Sequence, residues 1–177
     1  MQGADERWIQ WWCAPWQWAH PGWVEPFVEG LGVPVEDVEP LLRGRHSAFL
    51  HSVGITPSQP TAPVEAWVQW LMLSAEQQDR ALNLAASICV GRTEHSEETD
   101  PHENWCRAVA KALRPGAWLD PSLTDPRLLL AAWAGQDCWS RLRLSWAPDT
   151  LPPSFMPLPA NKLQTLWQSV LWRVTTV

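Results

Sequence analysis

The chain has 177 residues, 46% hydrophobic and 18% charged, with 15 tryptophans, no tyrosine and a net charge of −6. That much apolar mass can close a core, which argues against an intrinsically disordered chain. The acidic balance argues against binding a nucleic-acid backbone or an anionic membrane surface.

The length predicts one helical domain over residues 1–177, opened by a Trp-rich element at residues 1–23. In residues 5–14, Trp8, Trp11 and Trp12 stand at helical spacing, and Pro15 ends the run. Residues 15–23 then form a tight aromatic segment, expected as a turn or a second short element. From 33 to 50 come brief helical pieces cut by Pro34 and Pro40, followed by a loop at 56–63 with three prolines.

Ser74-Ala75-Glu76-Gln77 reads as a capping box that opens a helix running to about Val90, with Gly91 as its stop. An acidic polar linker covers 92–99. Asp100-Pro101-His102-Glu103 is a second start signal. Trp105, Cys106, Val109, Ala110 and Leu113 form the apolar face of that helix, which Arg114-Pro115-Gly116 ends. Thr124-Asp125-Pro126 starts another helix, through Ala134.

Residues 137–146 read two ways. Cys138, Trp139, Leu142 and Trp146 fit a helical face, whereas Leu142, Leu144 and Trp146 alternate with Arg141, Arg143 and Ser145 as in a strand. The helical residues just before them favour helix. A proline-rich connector at 147–160 leads to a last amphipathic helix at 161–174, on Leu163, Leu166, Trp167, Val170 and Leu171. The expected class is all-α: a compact bundle of short, proline-punctuated helices.

Little in the chain is built for chemistry. There is no nucleophile elbow, no S-x-x-K and no glycine-rich phosphate loop. Cys89, His95, His102 and Cys106 have a spacing that a zinc ion could use, yet no tight C-x2-C knuckle is present. Their alternative reading is a buried thiol and two solvated histidines. The carboxylates Glu94, Glu97, Glu98, Asp100 and Glu103 crowd a polar linker, with no apolar surroundings to separate their pKa values. His46 and His51 read as surface residues. No catalytic group, metal or cofactor is assigned.

Cys13, Cys89, Cys106 and Cys138 are widely spaced and read as reduced thiols of a cytoplasmic protein. Neither a secretory leader nor a membrane span is expected. Indole is large, rigid and without an ionisable atom, and it is enriched where binding energy concentrates at protein interfaces. Most of the 15 rings are expected in the core. Trp16, Trp18, His20 and Trp23 in one element, and Trp139, Arg141, Arg143 and Trp146 in another, are the candidate protein-binding residues. The two arginines could stack on indoles, fork onto a partner's carboxylates, or simply solvate an outer face.

The N-terminal Pro15-Trp16-Gln17-Trp18-Ala19-His20-Pro21-Gly22-Trp23 is similar to the proline–aromatic–His-Pro-x-Trp element of the SctK family. These are cytoplasmic sorting-platform accessory proteins of bacterial type III secretion systems. Gly135-Gln136-Asp137-Cys138-Trp139-Ser140-Arg141-Leu142-Arg143-Leu144, closed by Ala147-Pro148, resembles that family's Trp-x-Arg-Leu-x-Leu stretch before a proline. Residues 82–91 resemble its central small-residue helix.

The resemblance implies a mostly helical orthogonal bundle and a non-enzymatic adaptor. Such an adaptor bridges the cytoplasmic face of the membrane-embedded ring to the pods that carry the export ATPase. It would reach the membrane only through partner proteins. Two other readings stay open: a small helical zinc-binding protein, and a secretion chaperone or regulator holding a client helix.

Overall fold

The computed structural model describes residues 2–32, 37–90, 102–152 and 157–176. Every regular element among them is helical, as the sequence predicts, and none is a strand. None of the described helices is long and apolar enough to cross a membrane. The chain sorts into two compact units: Met1–Val68 with Gln136–Leu151, and Gln69–Gly135 with Pro152–Val177.

The first unit begins with helix α1, Gln2–Cys13. Positions i, i+3 and i+4 put Trp8, Trp11 and Trp12 on one face, and all three rings are at most 2% exposed. Their centroids lie 5.5, 5.6 and 6.4 Å apart in tilted and edge-on pairs, the geometry that aromatic quadrupoles favour. The residues 56–63 loop serves this cluster. Its carbonyls at Thr61 and Ser58 accept the indole N–H groups of Trp8 and Trp12 at 2.9 and 3.1 Å.

After a 3-10 turn at Pro15–Trp18 comes α2, Pro21–Glu29. His20 caps it, its Nδ1 accepting from Gly22 N at 3.1 Å. Pro21 takes the first turn, where a missing N–H does no harm. Gly22 permits a close approach: a Cβ there would stand 3.1 Å from Pro148 Cδ and 3.2 Å from His20 Nδ1. Two short helices follow, α3, Val38–Gly44, and α4, His46–Ser52. Pro40 does not cut α3 but sits within its first turn, where proline is tolerated. Leu42, Phe49, Leu50, Val53, Ile55 and Leu144 form the core here, with Trp16, Trp23, Val24 and Phe27 packed against it.

Helix α5, Glu65–Met72, runs from the first unit into the second. Helix α6, Ala75–Cys89, begins at the expected capping box, with Ser74 Oγ accepting from Gln77 N and Gln77 Oε1 from Ser74 N. It packs against α7, Glu103–Leu113, and α9, Ala160–Thr176, which also touch each other. Trp167 of α9 is the centre of this unit, wholly buried. It meets Trp70 edge-on at 5.7 Å, stacks on Trp133 at 5.6 Å, and donates its N–H to the Leu129 carbonyl at 3.2 Å.

Helix α8, Pro126–Leu142, starts with Asp125 accepting from Arg127 N at 2.8 Å. It is two helical runs joined at Gly135, whose φ of 72° and ψ of 165° are not helical. The ambiguous residues 137–146 resolve as helix to Leu142 and a 3-10 turn at Arg143–Ser145. Trp146 is extended in φ and ψ, but belongs to no sheet. Gly91, the 92–99 linker, the Asp100-Pro101 start signal and Pro34 lie outside the described residues.

Candidate protein-contact surface

Two arginines, two residues apart, leave the end of α8 for different surroundings. Arg141 is 3% exposed. Its guanidinium lies 3.9 Å above the Trp12 ring. Its Nε donates to the Trp12 carbonyl at 3.1 Å, one terminal nitrogen to Asp137 O at 3.1 Å and the other to Ser58 Oγ at 3.3 Å. Burial pulls its pKa below the ordinary value, and Asp137 opposes that shift. The expectation that Arg141 meets a partner is therefore corrected: this side chain ties α1, the 56–63 loop and the second run of α8 together. A mobile cation would cost rotamer entropy there, but the planar fork matches several acceptors at once.

Arg143 is half-buried. It donates one N–H to the Val53 carbonyl and lies 4.8 Å over the Trp23 ring. It forms no ion pair among the described residues. Burial alone lowers its pKa, with no acidic neighbour opposing the shift. None of its nitrogens is sealed away without a partner, so its remaining donors reach solvent.

The five indoles of the N-terminal candidate element and its C-terminal counterpart also divide. Trp23, half-buried, donates to the Trp146 carbonyl at 2.8 Å. Together with a bond from His20 N to Leu144 O at 2.7 Å, this fastens α2 to residues 144–146. Trp16 packs edge-on against Phe49 at 6.3 Å, its Nε1 buried and unpaired. Both rings thus have contacts within the first unit. Trp139 and Trp146 lie 5.8 Å apart, tilted by 33°. Trp18 and Trp139 are half-buried, and neither indole N–H is hydrogen-bonded among the described residues or sealed from solvent. His20 is exposed, its ring engaged in the α2 cap.

Trp23 and Val53, both touched by Arg143, also line an apolar trough of about 510 Å³ together with Pro26, Phe27, Leu31 and Pro148 among others. Leu31 is 40% exposed. Sequence reasoning missed this trough because it missed α2. Trp23, Val24, Phe27 and Val28 carry the helical i, i+4 signal, but Pro26 between them masks it.

The zinc quartet is not assembled by what is described. His95 lies outside the described residues. Cys106 is buried, and His102 Nδ1 accepts from Arg173 Nε at 3.1 Å. Burial pushes the Cys89 thiol up to about 12. Among the described residues no three His, Cys, Asp or Glu side chains cluster as metal ligands. His46 and His51 are exposed, as expected.

Compared with known proteins, the chain matches no family model, no curated protein sequence and no solved structure.

Proposed function

We propose that this chain is a non-enzymatic cytoplasmic adaptor of a bacterial type III secretion apparatus. In this reading it links the cytoplasmic face of the membrane ring to the sorting platform and its ATPase pods. The secretion context rests on the resemblance of residues 15–23 and 135–148 to the SctK family. The binding role is carried by one observation: Trp18 and Trp139 keep large, half-buried rings whose N–H donors no neighbour among the described residues uses. Such amphipathic anchors dominate interface energies when a partner dries them.

The test is capture of purified ring and pod components by the tagged full chain. Trp18→Ala with Trp139→Ala should abolish capture while helical circular dichroism persists. Unchanged capture by that double variant, or no capture by the native chain, overturns the reading.

A further inference from the structure

We propose that Arg143 is the anion-recognising group of this surface, taking a side-chain carboxylate from an apolar segment of a protein partner that seats in the adjoining trough. The inference rests on the protein-binding reading above and names the chemistry of the partner.

Three observations carry it. Arg143 touches two of the residues that line the trough, stacking on Trp23 and donating to the carbonyl of Val53. Those contacts fix the plane of the guanidinium and leave donors open, which is a fork set for a bidentate acceptor. The trough is lined mainly by apolar residues, and its volume of about 510 Å³ can take aliphatic or aromatic side chains.

The charges nearby point two ways, and their burial decides between them. Glu25 and Glu29 of α2 and Asp149 beside Pro148 are exposed. They would favour a basic partner, but exposed pairs contribute little and are screened by salt. Arg143 is already partly dehydrated, with no carboxylate beside it among the described residues. Covering it with an apolar partner that brought no anion would bury an unpaired charge, a far larger penalty. An acidic residue within an apolar segment answers both the trough and the cation.

The experiment selects binders from a displayed library of random short peptides against the whole folded chain. Selected peptides should carry Asp or Glu beside aliphatic or aromatic residues. Changing that Glu to Gln in the best peptide should weaken binding about tenfold or more. Arg143→Lys keeps the charge but loses the fork and should weaken it as well.

Gly30→Gln guards against a simple folding defect. Gly30 lines the trough, has a helical φ, and a Cβ there meets only the Pro26 and Phe27 carbonyl oxygens, at 3.4 and 3.7 Å. This variant should fold normally and lose the peptides. Basic or uncharged consensus peptides, indifference to Glu→Gln, or full binding by Gly30→Gln would overturn the proposal. So would dimerisation of the free chain that Gly30→Gln abolishes, because a second copy would then be the occupant. If those failures appear while Trp18 and Trp139 still govern partner capture, only this inference falls. If acidic peptides bind but ring and pod components do not, the secretion reading falls instead.

Discussion

Arg141 and Trp12, 129 positions apart, are joined twice: the guanidinium covers the indole ring at 3.9 Å, and its Nε–H reaches the backbone carbonyl of the same residue at 3.1 Å. A cation over a ring is worth about 2 kcal/mol when dry. The bond to the carbonyl adds to that and removes an acceptor that burial would otherwise leave unpaired.

Arg141→Met should therefore cost about 3 kcal/mol or more, since it strips a donor from both the Trp12 and Asp137 carbonyls. Arg143→Met, which removes one such bond from a half-buried side chain, should cost about 1 kcal/mol. Urea unfolding of both variants gives the comparison. Equal losses would mean that the two arginines have been wrongly distinguished.

A second contrast lies within the other unit. Trp70 and Trp167 are both fully buried and pack edge-on, but only Trp167 has a carbonyl for its N–H; Trp70 Nε1 has no partner. Trp167→Phe strips a donor from the Leu129 carbonyl, whereas Trp70→Phe removes an orphaned donor. We expect Trp167→Phe to be the more destabilising by about 1–3 kcal/mol. The reverse order in thermal or urea melts would refute this.

The thiols should react unequally. Cys13 is exposed. Burial holds Cys89 near 12 and Cys138 near 11, so both stay protonated at neutral pH. One fast alkylation per chain, at Cys13 by mass spectrometry, is expected under native conditions.

The same shift sets a pH dependence. The folded thiol of Cys89 titrates above its ordinary value of 9.0, so between pH 9 and about 12 the unfolded chain binds fewer protons than the folded one. The contribution is fully present below pH 9 and is lost as pH climbs through that window. Stability should fall more steeply there for the native chain than for Cys89→Ala, and parallel curves would exclude the effect.

Two backbone positions should respond oppositely to substitution. Arg114 closes α7 in the left-handed region at φ 52°, where a side chain is strained, and it is exposed. Replacing it by Gly should gain about 0.5–1 kcal/mol after allowing for the freer unfolded chain. Gly135, at φ 72° and ψ 165°, occupies a conformation almost confined to glycine. Gly135→Ala should cost about 1–3 kcal/mol. Differential scanning calorimetry would show both signs.

Local signals in the sequence survive into the structure where the partners are neighbours in the chain. The Ser74–Gln77 box, the Asp125 cap and the apolar face of α9 each involve residues within a few turns of one another. Helices α2 and α5 carry the same kind of signal, at Trp23, Phe27 and Val28 and at Ala66, Trp67, Trp70 and Leu71. There it is overlaid by Pro26 and by the prolines before Val64. The separate fates of Arg141 and Arg143 have no local mark. They depend on Trp12, Ser58, Val53 and Trp23, which reach the arginines only through the fold.

Because the first unit is assembled from both ends of its own sequence, the ribosome sets a delay. Trp12 emerges long before the arginine that covers it, and at about 5–20 residues per second that interval lasts roughly 6–26 s. Throughout it the nascent chain carries the Trp12 ring without its guanidinium cover. Its yield during expression should accordingly depend on chaperones that hold nascent chains, and slower translation should lengthen that dependence.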